Sequence, residues 1–555
     1  MATKSKRLKV SFLGGTDEIG KNMTAYEYGE DIVVVDCGSI FPEEEMLGID
    51  LVIPDIAYLI KNQHRIRAFF ITHGHEDHIG AVPYVLKQLS TKIPIYGTRL
   101  TLALIENKLK EHGIQNANLR VIKPKDHVTA GVFTAQFIKM SHSITGAVSI
   151  ALHTPVGIVI HTGDFKLDYT PVDGEVMDLA TLSALGNKGV LALLCDSTNA
   201  EKEGYTMSER RVGETLKSLF RDATGRIIVA SFASNIHRVQ QIVDAAISYN
   251  RKVALAGRSM INVANVAMKL GELHIPEDKL VELDRVRQQK DDEIVIITTG
   301  SQGEPMSGLA RMSTSEHAQV EIKEGDMVII SANPIPGNEK YVNRVINGLL
   351  RRGANVIYES LAEVHTSGHA TREELKLIHS LVKPKFFVPV HGEFRHMRAH
   401  AQLAESLGMP KERIFIPDNG ATVELGRNSA KLVRDAIPTG SVLVDGLGIG
   451  DVGNVVLKDR KLLSEDGLVI VSVVLSKQTG KLLAPPEILS RGFVFVRESD
   501  KMMNEARNIV RNLFEKEKVA LDNGSLKMTI KAKLKNYLYG KTKRNPMILP
   551  IVTEI

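Results

Sequence analysis

The 555-residue chain is 43% hydrophobic and 24% charged, ordinary globular proportions that exclude general disorder and a collagen-like repeat. Lys and Arg exceed Asp and Glu by five (70 against 65), a mild excess compatible with a polyanionic partner but not requiring one. Two cysteines, Cys37 and Cys195, exclude a disulfide framework or a Cys-rich zinc finger and suit a reducing compartment.

From residue 8 to about 200, short β-branched runs end in Gly, Asp or His: KVSFLGG, DIVVVDCG, IRAFFITHGH, GIVIHTGD and VLALLCDST. Apolar runs closed by polar residues predict buried strands with functional loops at their tips. Helical periodicity lies between them, over His78–Leu89 and Leu100–His112, so this stretch reads as α/β. From about 206 to 360 strands and helices alternate regularly. RIIVASF precedes a helix over Ile236–Tyr249, KVALAG one over Asn262–Leu270, EIVIITTG a Gly-rich turn, and MVIISANPIPG a helix over Asn338–Arg352 before NVIYE. A second, parallel-sheet domain is the expectation.

From 365 to about 440 strand-end histidines return, in HTSGH and PKFFVPVHGE. The Gly-rich DGLGIGDVGN (445–454) is the linker candidate. Beyond it, GLVIVSVVL, GKLLAPPEI and GFVFVRES read as strands, and Glu505–Lys518 and Leu526–Tyr539 as amphipathic helices of a small α+β tail. Their apolar stripes read as core or self-association surface. The N-terminus lacks a secretory h-region and the longest apolar runs fall far short of the roughly 20 residues of a membrane span, so a cytoplasmic location without a membrane partner is expected.

The chemistry concentrates in ITHGHEDHIGA, which sets His73, His75, Asp77 and His78 within six residues of a strand end. Four such side chains in one loop point to a divalent ion, and neutral imidazoles with a carboxylate suit Zn²⁺ or a similar first-row metal. Asp36, His142, Asp164, Asp196, His365, His369 and His391 are single Asp or His residues near strand ends; alone, each is as readily a cap or a satisfied core group. Ser234, Asn235 and His237 (FASNIHR) sit at a strand-to-helix junction, where free backbone N–H groups favour anions. Ser301, in GSQGE, and Ser367 with Gly368 have the same donor-rich character. Arg238, Arg258 and Arg344 are candidates for phosphate contacts.

The HxHxDH loop, followed in order by His142 and Asp164, resembles the metallo-β-lactamase superfamily, with Asp36 matching the aspartate that braces the metal histidines. The candidate for the last ligand, His391, comes 227 residues after Asp164. That interval is similar to the insertion of the β-CASP subgroup of nucleic-acid-processing hydrolases, whose acidic motif matches Asp196 and whose motif histidine matches His369. Strings such as EIGKN, EEEMLGIDLVIPD, THGHEDHIGA, SFASNIHR, HTSGH, VHGEFR and TKRNPMILPI resemble the ribonuclease J family from residue 18 to 551. Two segments depart from the family pattern, SITGAVS after His142 and GGTDEIG near the start.

The resemblance implies an α/β fold: a metallo-β-lactamase αββα sandwich (1–205 and 363–444), an inserted β-CASP parallel-sheet domain (206–362), a linker (445–464) and a C-terminal α+β domain (465–555). It implies two divalent ions, Zn²⁺ before Mn²⁺ or Mg²⁺. His73, His75 and His142 would hold one, Asp77, His78 and His391 the other, and Asp164 would bridge. A hydroxide activated by the pair would cleave RNA to 5′-phosphate and 3′-hydroxyl ends, with His369, oriented by Asp196, as general acid and Asp77 counted with the catalytic set. Ser234, Asn235, Ser301, His365, Ser367, Gly368 and His369 would line a site for a 5′-monophosphorylated single strand. Exonuclease action from 5′ to 3′, endonuclease action, and a homodimer or homotetramer, alone or with a paralogous subunit, follow by the same resemblance. The competing readings are a weakly active structural subunit of an RNA-degradation complex and a small-ester metallo-hydrolase.

Overall fold

A computed structural model describes residues 6–43, 45–304, 306–334, 338–494, 500–516 and 523–555. The chain divides into two units, one of residues 1–40 and 53–441, the other of residues 41–52 and 442–555.

The first unit contains three large sheets. One has eight strands, in the order Ala430–Val433, Thr422–Leu425, Leu8–Gly14, Met23–Tyr28, Asp31–Val35, Ile66–Phe70, Ile95–Gly97 and Leu119–Val121. The second has six, in the order Phe386–Val390, Val190–Asp196, Gly157–His161, Val148–Thr154, Phe133–Lys139 and His127–Ala130. Both are built from early residues and from a late segment that returns to an outer position. Side chains from the two sheets share one core: Phe12, Phe70, Phe133 and Phe137 are completely buried, and the Phe70 and Phe137 rings meet edge-on at 5.8 Å. The far face of the six-stranded sheet is covered by helices Leu179–Lys188, Arg372–Val382 and Phe394–Ser406. Helix Arg99–Glu111 lies against the eight-stranded one. The result is a four-layer αββα arrangement.

The third sheet, all parallel, runs Lys252–Ala256, Ile294–Thr298, Ile227–Ala230, Met327–Ile330 and Asn355–Ile357. Its three inner strands are buried along their whole length, as expected where helices cover both faces. They are the runs RIIVASF, EIVIITTG and MVIISANPIPG.

In the second unit, Leu468–Leu475 is central, paired antiparallel with Glu487–Arg491 and parallel with Met547–Glu554. Helices Asp500–Lys516 and Asn523–Thr542 supply its core through Val510, Ile530 and Leu534.

Some expectations need correction. The stretch 445–464 is not a simple linker: Asp445 pairs with Gly448 in a hairpin, and Asn454–Asp466 is a helix. The run of apolar and charged residues after Gly453 carries helical propensity that the glycines before it conceal. The helix expected over His78–Leu89 is two short ones, Glu76–Ile79 and Val82–Leu86, separated at Gly80–Ala81, with Pro83 in the first turn of the second. In GKLLAPPEI the strand begins only at Glu487, after Pro485 and Pro486. Most of the expected strand GFVFVRES lies outside the described residues.

Candidate active site

Most of the chemical side chains sit at or just past a strand end. Strand Ile66–Phe70 delivers His73, which is fully buried, and the loop then turns at His75 into Glu76–Ile79, which carries Asp77 and His78. His142 follows Phe133–Lys139, Asp164 follows Gly157–His161, Asp196 ends Val190–Asp196, and His391 follows Phe386–Val390. Asp36 and His391 both have positive φ, 62° and 53°. This left-handed conformation is costly for a non-glycine residue and is held here where the strand must turn its next side chain inward.

Two clusters meet at Asp164. In the first, His75 Nδ1 lies 3.1 Å from His73 Nε2 and 3.0 Å from His142 Nε2. In the second, Asp77 Oδ2 lies 3.1 Å from His391 Nε2 and 3.5 Å from His78 Nε2. Asp164 Oδ2 faces both: it is 3.7 Å from His73, 3.8 Å from His142, 3.3 Å from His78 and 3.7 Å from His391. The other oxygen of Asp164 is buried without a hydrogen-bond partner. Three imidazole nitrogens directed at one point and an orphaned carboxylate oxygen beside them form a donor set that a cation satisfies.

Neighbouring groups fix the outer edges of the rings. Asp36 Oδ2 accepts from His78 Nδ1 at 2.8 Å, and Asp36 Oδ1 accepts from Thr72 N at 2.8 Å. The Gly368 carbonyl accepts from His142 Nδ1 at 2.7 Å. The Thr198 hydroxyl lies 2.7 Å from His391 Nδ1 and donates to Asp196 Oδ1 at 2.8 Å. Each contact turns Nε2 inward and sets the tautomer. A third group adjoins these: His369 Nδ1 lies 2.8 Å from Asp196 Oδ2 and 3.9 Å from Asp164 Oδ2, with its ring stacked on that of His391 at 5.4 Å.

The electrostatics differ between the clusters. Burial pushes the His73 and His142 pKa values well below the ordinary one, and that of His75 to about 4, so these rings present lone pairs at neutral pH. For His78 and His391 burial acts in the same sense, but the carboxylates around them (Asp164, Asp77 and Asp36; Asp164, Asp196 and Asp77) outweigh it and raise both. Burial opposes ionisation of Asp164, yet His391 and His78 hold it well below the usual carboxylate range. Against burial, Asp196 raises His369.

Of the residues expected to bind substrate, His365, Ser367 and Gly368 share the segment of His369. The Ser367 hydroxyl accepts from Asn199 Nδ2 at 2.8 Å. His365 Nδ1 is buried without a partner, and burial together with Arg238 lowers its pKa to about 3. Ser234 and Asn235 follow strand Ile227–Ala230 and Ser301 follows its parallel neighbour Ile294–Thr298, so they lie at the same sheet end. The Asn235 side chain caps its own helix by accepting from Arg238 N. Arg238 is not a phosphate contact. It is 0% exposed, and its Nε donates to Glu209 while its Nη1 donates to Ser331 Oγ at 2.5 Å and to the Val364 carbonyl at 2.9 Å. Arg258 and Arg344 are exposed.

The two departing segments have structural partners: the Thr145 hydroxyl lies 3.1 Å from His237 Nε2, and Asp17 Oδ1 accepts from Phe394 N at 2.9 Å. Sequence reasoning missed Thr198, Asn199 and Glu374. The first two stand in CDSTN, two and three residues after Asp196. Cys37 and Cys195 are buried free thiols. Among the described residues, no helix is long and apolar enough to cross a membrane.

This fold with this donor set defines a metallo-β-lactamase-type metal-dependent hydrolase. Residues 16–194 match the metallo-β-lactamase superfamily, 224–349 the ribonuclease J β-CASP domain, 354–417 the Zn-dependent metallo-hydrolase RNA specificity domain, and 455–555 the ribonuclease J C-terminal domain. The chain is 44% identical to ribonuclease J2 of Bacillus subtilis (strain 168) over 99% of both chains. It is also 44% identical to ribonuclease J 1 of Streptococcus pyogenes, over 100% of this chain and 98% of that one. With ribonuclease J of Thermus thermophilus the identity is 44% over 98% of this chain and 94% of the relative. A crystal structure of a protein of unknown function from Enterococcus faecalis V583 superposes with a TM-score of 0.54 at 16% identity, covering 76% of this chain and all of that one, and so shares the fold. The chain belongs to the ribonuclease J family and is a metal-dependent ribonuclease.

Proposed function

We propose that this ribonuclease works with two divalent ions. His73, His75 and His142 would hold one, Asp77, His78 and His391 the other, and Asp164 both. The imidazole-rich set suits Zn²⁺ better than Mg²⁺, with Mn²⁺ the main alternative. Such ions supply an activated water and offset the charge that builds on phosphoryl oxygens. The observation that carries this reading is Asp164, whose one carboxylate oxygen lies within 3.3–3.9 Å of five imidazole nitrogens from four segments.

The protein's own groups do the rest. Asp36, Gly368 and Thr198 keep the ligating nitrogens aimed inward. Asp196 holds His369 by Nδ1, which leaves Nε2 for the substrate. His369 would donate its proton to the 3′ oxygen as the P–O3′ bond breaks, giving 5′-phosphate and 3′-hydroxyl ends. Ser234, Asn235, Ser301, His365 and Ser367 would receive a 5′-monophosphate, which permits 5′-to-3′ removal of nucleotides alongside internal cleavage.

The complete donor set and the Asp196–His369 pair argue against a weakly active structural subunit, and the parallel-sheet insertion against a small-ester hydrolase. We further propose action in the cytoplasm as a homodimer or homotetramer, testable by analytical ultracentrifugation. The decisive assay is purified protein on 5′-monophosphorylated RNA with metal analysis. Two ions per chain and nucleotide 5′-monophosphates are expected, and Asp164→Asn should abolish both. A stoichiometry of one, or products with 3′-phosphates, would refute the scheme.

A further inference from the structure

Glu374 completes a capping box with Thr371 at the start of helix Arg372–Val382. A capping box requires one carboxylate oxygen at the helix end and leaves the other to water. Glu374 is instead 0% exposed, and its two oxygens reach different parts of the molecule. Oε2 accepts from Thr371 N at 2.7 Å and from Thr206 N at 3.0 Å, with the Thr371 and Thr206 hydroxyls at 2.8 and 2.6 Å. Oε1 accepts from Leu167 N at 2.7 Å.

One carboxylate therefore joins three segments distant in sequence. Leu167 is three residues past Asp164, and Thr371 is two residues past His369. Thr206 stands between them, its hydroxyl also 3.0 Å from the His369 carbonyl oxygen. Withdrawing a carboxylate from water is expensive, and end-capping one helix is only a modest gain. The placement is explained by what the three segments carry, the carboxylate at the centre of the site and the imidazole beside it, which stand 3.9 Å apart.

We propose that Glu374 is a positioning residue that sets the His369 imidazole relative to Asp164. The proposal rests on the reading of His369 as the group that protonates the departing 3′ oxygen. Geometry of this kind matters because a displacement of about 1 Å can cost on the order of 10²-fold in rate.

The test uses the metal-reconstituted full chain and two substrates. One is a 5′-monophosphorylated RNA; the other is the same RNA with sulfur in place of the departing 3′ oxygen, a leaving group that needs no proton. Glu374→Gln should lower kcat on ordinary RNA by roughly 10- to 100-fold, keep KM and bound metal, and recover near-native rates on the sulfur substrate. Thr206→Val, which removes one hydroxyl from a half-buried site, should show the same selectivity at smaller amplitude and carries the test if the Gln variant does not fold. Equal losses on both substrates, or no loss on either, would overturn the proposal. His369→Ala separates the two ideas. If sulfur rescues it but not the Glu374 and Thr206 variants, the positioning role alone fails; if sulfur does not rescue it, the acid role of His369 fails.

Discussion

The carbonyl of Gly368 accepts a hydrogen bond from His142 Nδ1 at 2.7 Å, and a Cβ at position 368 would stand 2.6 Å from Cε1 of the same ring. The two residues are 226 positions apart. Their contact fixes the His142 tautomer and requires a residue without a side chain. Gly368→Ala should displace the imidazole, strip metal from the cluster of His73, His75 and His142, and reduce turnover by about 10²-fold. Plasma mass spectrometry of the purified variant checks the metal; full occupancy with native turnover contradicts the role.

Asp36→Asn tests the brace on His78. Asn tolerates the left-handed backbone at this position, so the change removes charge while preserving the turn. Metal affinity should fall by about 10–100-fold, measured by chelator competition. An unchanged affinity would leave Asp36 with only its bond to Thr72.

Metal uptake should release protons. His78 and His391 are raised above the ordinary histidine value, so near neutral pH these rings carry protons that a cation must displace. Affinity should therefore rise with pH and fall as pH drops through neutrality. Titration calorimetry in two buffers of different ionisation enthalpy reads the proton count directly, and a pH-independent affinity would exclude the effect.

Arg238→Met should destabilise the fold by about 3–5 kcal/mol, the usual result of leaving a buried partner, here Glu209, uncompensated. The salt dependence of RNA binding should stay as it is, because a fully buried guanidinium neutralises no phosphate. Denaturant unfolding and binding at several salt concentrations measure the two effects. Neutralising the exposed Arg258 or Arg344 makes the opposite comparison.

The strands were legible because parallel strands buried on both faces read as unbroken apolar runs, and IIVA, IVIIT and MVII could hardly be anything else. The His73–His78 loop was legible because four side chains of metal-ligand type crowd into six positions. Arg238 was misread for a definite reason: in the sequence it sits in the first turn of an amphipathic helix, where arginines are usually solvated. What buries it comes from Glu209, Ser331 and Val364, which no local pattern connects to it. Glu374 was hidden in the same way, since T-x-x-E announces a helix start and says nothing of Leu167. The helix Asn454–Asp466 was masked by the glycines before it.

The late return of the chain to both sheets of the sandwich has a consequence for synthesis. Strand Phe386–Val390 docks beside Val190–Asp196, and Thr422–Leu425 beside Leu8–Gly14. A ribosome must translate some four hundred codons before His391 can join partners made early. The nascent polypeptide therefore passes most of its elongation before His391 and the Asp164 cluster can come together.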